Sequence, residues 1–228
     1  MPAHRAITAI AIAALCGAGA VAPRPAHAAD DLQRRVADAR EVYQELINTP
    51  DRNVPRQLRE GCKCVAVLPH VVKGAIGFGA RFGRGVICCR DAGGGWSPVA
   101  FVQLTGGSWG LQIGAESADV VLFFMTDRGV RSLLGSKFTL GAKAGVAAGP
   151  VGRTAEAATD VKLNAEIYSY ARTKGLFAGV SLEGARIAVD DKGDERYYGA
   201  PVTAKQILFD RSVPKRPEGM DAFLDALR

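Results

Sequence analysis

The sequence feature that most constrains the fold is a segment in which short apolar runs alternate with regularly placed glycines. Cys64–Leu68 is an unbroken apolar run that ends at Pro69. Five glycines then punctuate the chain, at Gly74, Gly77, Gly79, Gly83 and Gly85. Glycine inside a strand marks a bulge, a sharp bend or the close approach of another backbone. The segment therefore predicts bent, closely packed β-strands.

The rest of the chain adds further strands and places helices at both ends. Apolar residues at steps of three and four predict an amphipathic helix over 30–49, packed on the core or lying on a membrane surface. Short helices are predicted at 55–60, 126–134 and in the tail from Ala204 and from Pro217. Strands are predicted at 64–68, 85–90, 99–104, 111–116, 120–125, 138–146, 165–172, 176–183 and 186–190.

The order of these elements predicts the fold class. Regular β-α-β alternation is absent, and tight turns join most of the predicted strands. We therefore expect an α+β fold, an antiparallel β-rich single domain whose sheet forms a sandwich or a barrel-like structure. An N-terminal amphipathic helix and short C-terminal helices complete it.

The first residues have the features of a secretory signal peptide. A basic start at Arg5 precedes an apolar run, and Ala26-His27-Ala28 is a small-x-small cleavage signal before Ala29. We predict a signal peptide over 1–28 and a mature domain over 29–228. The expected location is periplasmic or secreted, and association with the outer membrane is one form of it. An uncleaved anchor and lipid attachment at Cys16 are the alternatives.

The charge balance limits the classes of partner. The chain carries 29 lysines and arginines against 23 acidic residues. Removal of Arg5 and Arg24 with the signal peptide lowers the formal charge from +6 to +4. This mild positive charge suits contact with an anionic surface, but it lacks the dense basic patch of a nucleic-acid-binding protein.

The cysteines indicate a disulfide in an exported protein. Four remain after residue 28, as a C-x-C pair at Cys62 and Cys64 and an adjacent pair at Cys88 and Cys89. Neighbouring residues of a strand point to opposite faces, so these pairs do not readily converge on one metal ion. We predict a disulfide between the two segments, with the pairing left open, and no metal site.

Three motifs resemble catalytic or ligand sites without their required context. Gly106–Gly110 matches G-x-S-x-G around Ser108, but a nucleophile elbow needs a later histidine, and His70 lies upstream. The glycines of 77–83 do not have dinucleotide-loop spacing. An acidic cluster is interpreted as a solvated turn, and it comprises Asp190, Asp191, Asp194 and Glu195. We predict no catalytic residue, no cofactor and no enzyme activity.

Several blocks carry a family resemblance, from the glycine-rich stretch after Leu68-Pro69, with Lys73 and Gly77, onward. They include Phe138-Thr139-Leu140-Gly141, the glycine-rich run 146–153 with Ala155–Ala158, Tyr168-Ser169-Tyr170, the run 174–184, and 111–116 leading into Asp127. Together they closely resemble the SYLF domain, also called the actin-binding domain of yeast actin-patch proteins. The resemblance runs from about residue 34 to residue 199.

The resemblance implies a non-catalytic lipid-binding module. Animal relatives prefer phosphoinositides and use an N-terminal amphipathic segment, and yeast relatives bind actin. For an exported, bacterial-type member it implies a phospholipid-binding protein of the cell envelope. The expected partner is an anionic phospholipid or membrane surface, and neither actin nor nucleic acid. The alternative is an envelope structural module, or one that binds a protein partner.

Basic residues in the glycine-rich half are the candidates for binding lipid headgroups. They are Lys73, Arg81, Arg84, Lys143, Arg153 and Lys174. Phe78 and Phe82 are the candidates for insertion among acyl chains. We expect the sheet after residue 60 to present these charges and phenylalanines to a membrane on one surface.

Overall fold

The computed structural model describes residues 25–49, 54–76, 78–109, 114–135, 138–141, 145–151, 164–173 and 175–228. Six helical segments are found there, namely α1 (Pro25–Asn48), α2 (Arg56–Gly61), α3 (Asp127–Leu134), α4 (Asp191–Tyr198), a π-helix (Gln206–Asp210) and α5 (Met220–Ala226). The strands are β1 (Cys64–Ile76), β2 (Phe78–Cys89), β3 (Ala100–Trp109), β4 (Gly114–Phe124), β5 (Phe138–Thr139), β6 (Val146–Ala148), β7 (Ile167–Thr173), β8 (Leu176–Gly179) and β9 (Arg186–Val189).

All strands of the described part join one curled sheet shaped like a half-barrel. Its order is β5-β9-β3-β2-β1-β4-β7-β6, and β8 pairs with the remaining length of β7. The α+β class and the barrel-like sheet are confirmed. The sheet is mixed, because β6 runs parallel to β7 while the other pairs are antiparallel.

Helix α1 covers one face of the sheet, which we call the helix face. Its apolar stripe is buried at Leu32, Val36, Ala39, Tyr43 and Leu46. The Tyr43 ring lies 6.5 Å from that of Phe123 on β4, which in turn meets Tyr170 on β7 edge-on at 5.7 Å. The helix therefore packs on the core, as its periodicity predicts. It begins at Pro25, five residues earlier than the predicted start.

A β-bulge in β1 reverses which face its residues point to. Val67 pairs with Val86, but Val72 pairs with Phe82, so β1 holds one residue more than β2 between these positions. The shift against β4 falls at the same place, between Leu68 and Val71. His70 lies in the bulge with a positive φ of 53°. Beyond the bulge, Val71 and Lys73 point away from α1, on what we call the open face.

The cysteines of the two segments meet at the far end of the β1–β2 pair. Cys64 and Cys89 are cross-strand partners and form a disulfide, which confirms a bridge between the segments. Cys62 and Cys88 are buried free thiols. Burial raises the pKa of Cys62 to about 11 and also raises the pKa of Cys88. Neither thiol is poised to react at neutral pH.

Several regions differ from the predicted elements. Residues 191–194, which the sequence predicts to be a turn, form the start of α4. The Asp190 side chain caps this helix, because it accepts a hydrogen bond from the Gly193 N–H at 3.1 Å. Asp194 is completely buried, so the prediction of a solvated acidic turn is wrong for it. The described residues of the strands predicted at 111–116 and 120–125 belong to one strand, β4, and 111–113 lie outside the described residues.

The predicted strand 138–146 is replaced by two short ones. The described residues there form only β5 and the start of β6, and 142–144 lie outside the described residues. The predicted helix after Thr126 is confirmed, since the Thr126 hydroxyl accepts a hydrogen bond from the Gly129 N–H at 3.1 Å. The hairpin predicted around residues 173–175 is confirmed by β7 and β8.

Candidate functional site

The candidate lipid-binding residues that the structure describes divide between the two faces of the sheet. Lys73 and Arg81 are cross-strand partners on the open face. Phe82 pairs with Val72, and both point to the helix face together with Arg84. Lys143, Arg153 and Lys174 lie outside the described residues, as does the side chain of Phe78. The basic residues and phenylalanines that can be placed therefore do not share one surface.

A groove on the helix face collects Phe82, Val72 and Arg84 beside the N-terminal part of α1. We call it the helix-side groove, and its volume is about 480 Å³. Phe82 is 45% exposed and Val72 is 49% exposed, which is unusual for neighbouring large apolar residues. The guanidinium of Arg84 lies over the Phe82 ring, 5.4 Å from its centroid. An apolar pair and an exposed cation are thus held side by side.

The wall of the groove formed by α1 is charged and largely self-paired. Asp31 contacts Arg34 at 3.9 Å and Arg35 at 3.3 Å, and Arg35 also approaches Asp190 at 4.0 Å. Burial lowers the pKa of Arg35, and these two aspartates oppose the shift. Arg35 therefore joins α1 to α4, whereas Arg34 and Arg84 are exposed at the surface of the groove.

A buried aspartate holds the bulge beside this groove. Asp119 on β4 accepts a hydrogen bond from the His70 backbone N–H at 2.9 Å and from Arg172 Nε at 2.8 Å. Arg172 also forms an ion pair with Glu45 of α1. The network connects the bulge to β4, β7 and α1. His70, the one histidine of the predicted mature chain, therefore has a structural role, which its backbone N–H performs.

The open face contains a second concave site, which we call the open-face cavity. Its volume is about 260 Å³, and it lies among β1, β2, β4, β7, β8 and the segment after β8. Six of its apolar residues are Val71, Ala118, Val120, Ala171, Ala178 and Leu182. Lys73, Arg81 and Glu116 also line it. Burial lowers the pKa of Arg81.

In the described part of the chain, the residues that could serve in catalysis or bind a metal ion do not form an assembled site. Ser108 lies within β3, and the next described residue after that strand is Gly114, the first of β4. Ser108 therefore does not lie in the strand-turn-helix context that a nucleophile elbow requires. Among the described residues, histidine, cysteine and carboxylate side chains do not gather in a group of three that could hold a metal ion. None of the described helices has the length and apolarity to cross a bilayer.

The comparison with protein families identifies the second half of the chain. Residues 105–228, more than half of the protein, match the Ysc84 family, described as Las17-binding protein actin regulator. The chain belongs to the Ysc84 family. This confirms the SYLF resemblance. The matched residues begin inside β3, so the helix-side groove, built on α1, β1 and β2, precedes them.

Relatives of this Ysc84-family chain come from animals and yeast. It is 35% identical over 164 residues to SH3 domain-containing YSC84-like protein 1 of Xenopus laevis, covering 71% of the chain and 49% of the relative. The human protein of that name is 33% identical over 181 residues, covering 78% and 53%. LAS seventeen-binding protein 3 of Saccharomyces cerevisiae is 35% identical over 182 residues, covering 78% and 39%. The chain thus spans about half the length of these relatives, or less.

Proposed function

We propose that this Ysc84-family chain is a non-catalytic module that binds the surface of anionic phospholipid membranes through its helix-side groove. The observation that carries the proposal is the half-exposed pair Phe82 and Val72 beside the exposed cation of Arg84. Exposed apolar side chains that lie next to each other and are rimmed by polar groups are a feature of protein and membrane interaction sites. A bilayer interface offers both acyl chains and anionic headgroups to such a group.

The expected affinity is modest and depends on both kinds of contact. Complete burial of a phenylalanine or valine side chain contributes about 1.5–3 kcal/mol, and each basic residue near an anionic surface about 1 kcal/mol. Phe82 and Val72 are already half-buried, so each contributes less than this full value. Binding should therefore be reversible, and it should weaken when salt screens Arg84 and Arg34.

The proposal includes a location in the cell envelope and a contribution from residues outside the described part. The envelope location follows from the signal peptide predicted over residues 1–28. Lys143, Arg153 and Lys174 stay candidates for headgroup contacts. A membrane lying flat against the helix-side groove does not reach Lys73 and Arg81, because they point to the open face.

Vesicle sedimentation tests the groove. Wild-type protein should sediment with phosphatidylglycerol-containing vesicles at low salt and less so at high salt. The double variant Phe82→Ser/Arg84→Gln should lose most of this binding. Arg56→Gln is the charge-matched control, because Arg56 is exposed on α2, beyond the opposite end of β1. Equal losses in the double variant and the control, or no binding by the wild type, would contradict the proposal.

The second candidate is a protein-binding module that uses the same groove. Protein binding is favoured by the family description, which names Las17, and by the yeast relative, which is named for binding LAS seventeen. The groove precedes the family match, so its use for this purpose rests on the exposed pair Phe82 and Val72. For this chain the partner would be a protein of the compartment in which it works. A double variant that keeps vesicle binding but loses a co-purifying protein would favour this candidate.

A further inference from the structure

The open-face cavity lies on the other side of the sheet from the helix-side groove. Its wall is formed by alternate residues of adjacent strands, with Val71 beside Ala118, and Val120 beside Ala171. Ala171 is in turn the cross-strand partner of Ala178 on β8. The small side chains of these alanines leave space where larger residues would fill the curl of the sheet. The cavity is therefore built into the strand pairing.

The volume of the cavity limits the size of its ligand. At about 260 Å³ it exceeds a cavity of about 150 Å³ that admits benzene, and it falls below the range of about 300–1,000 Å³ of drug-sized pockets. This volume admits one alkyl chain of medium length. It cannot hold both chains of a diacyl phospholipid.

The charges on the cavity are arranged in a row. Arg81, Lys73 and Glu116 are successive cross-strand neighbours on β2, β1 and β4. Glu116 offsets the charge of Lys73, which leaves the row with one net positive charge. Desolvation lowers the pKa of Arg81, so an anion bound beside it would offset the cost of burying the guanidinium. Thr173 and Ser181 also border the cavity.

We propose that the open-face cavity binds one medium-chain fatty acid, with the alkyl chain among the alanines and valines and the carboxylate beside Arg81 and Lys73. One net positive charge suits a monoanion, and the planar guanidinium of arginine matches the two oxygens of a carboxylate. The site uses other residues than the helix-side groove. The proposal therefore does not rest on membrane binding.

Calorimetric titration of the purified protein with decanoate tests this site, with decanol as the uncharged ligand of the same chain length. Wild-type protein should bind decanoate with one-to-one stoichiometry and more tightly than decanol. Arg81→Gln should weaken decanoate binding about tenfold or more and leave decanol binding nearly unchanged, because only the carboxylate loses its partner. Arg56→Gln, exposed on α2 and outside both sites, should bind decanoate as the wild type does.

A variant that fills the cavity shows how far ligand binding depends on the shape of the cavity rather than on its charge. Ala171→Leu should weaken the binding of decanoate and decanol alike. Ala118→Leu fills the same space from β4. It replaces Ala171→Leu in this test if Ala171→Leu lowers the melting temperature strongly. No saturable decanoate binding, or binding unchanged in Arg81→Gln and in the folded cavity variant, would overturn the proposal. Vesicle binding without decanoate binding would refute only the fatty-acid site in the cavity. Decanoate binding without vesicle binding would refute only the membrane contact of the groove.

Discussion

Asp194 is the residue whose chemistry departs most from what its sequence context indicates. The side chain is completely buried, and Oδ1 accepts a hydrogen bond from the Phe101 N–H at 2.8 Å. Oδ2 has no hydrogen-bond partner among the described residues. Burial raises the pKa of Asp194 to about 8, and the nearby carboxylates of Asp190 and Asp191 add to the shift, while the Phe101 N–H opposes it. The folded protein therefore holds this carboxyl in its protonated form at neutral pH.

This proton makes stability depend on pH. Between the unfolded pKa of about 3.9 and the folded pKa of about 8, the folded state binds the proton and the unfolded state does not. The free energy of unfolding should thus fall as pH rises through this window, by up to about 1.4 kcal/mol per pH unit. Asp194→Asn keeps an acceptor for Phe101 and cannot titrate. Urea unfolding at several pH values should show the wild type losing stability relative to the variant, and parallel curves would contradict this.

At the scale of elements, the bulge in β1 depends on glycines of the neighbouring strand. A Cβ at Gly85 would collide with the Val67 carbonyl oxygen and lie 2.6 Å from Leu68 Cα. One at Gly83 would lie 2.5 Å from Val71 Cγ2. These backbone and branched side-chain atoms cannot move aside without disturbing the bulge. The glycines therefore allow β2 to approach β1 where β1 carries its extra residue.

Substitution of two glycines tests this explanation. Gly85→Ala should lower the free energy of unfolding by about 2–4 kcal/mol, because the strand or the bulge must shift. Gly74→Ala is the matched control on β1, where a Cβ would meet nothing within 4 Å. It should change stability by less than about 1 kcal/mol. Denaturant unfolding measures both, and similar values for the two variants would refute the role given to Gly85.

The sequence predicts which strands form the candidate sites better than it predicts the face of the sheet to which each residue points. The glycine spacing indicates bulges and close approach, and the bulge and Gly85 confirm it. Strand alternation alone cannot show that Lys73 and Phe82 point to opposite faces, because this depends on one extra residue at Pro69 and His70. The helix at Asp191 was also missed, since its sequence resembles a turn and its burial comes from packing on Phe101.

At the scale of the whole molecule, the sheet order is the part that local patterns cannot supply. The pairing of β9 with β3 joins residues far apart in the chain, and β1 lies between β2 and β4. Such pairings are selected by burial of the whole core, which no single segment encodes. The small-residue lining of the open-face cavity was missed for the same reason, because β4, β7 and β8 form it only after the sheet has curled.

The two ends of the described chain complete the core together. Helix α5 packs against α1, and its residues Met220 and Phe223 are fully buried. The Trp96 indole N–H donates to the carbonyl of Leu227 at 3.2 Å, and the Tyr198 hydroxyl lies 3.8 Å from the sulfur of Met220. We therefore expect the C-terminal helix to unfold together with the sheet and α1 as one cooperative unit.

A pair of phenylalanines near the C-terminus tests this cooperativity. Phe223→Ala should lower the free energy of unfolding by about 3–5 kcal/mol, because it leaves a cavity where α5 meets the core. Phe209→Ala removes the same atoms from the π-helix, where the side chain is 42% exposed, and should cost about 1 kcal/mol or less. Both variants should unfold in one transition, followed by circular dichroism in urea. A separate early transition confined to Phe223→Ala would instead mean that α5 detaches while α1 and the sheet remain folded.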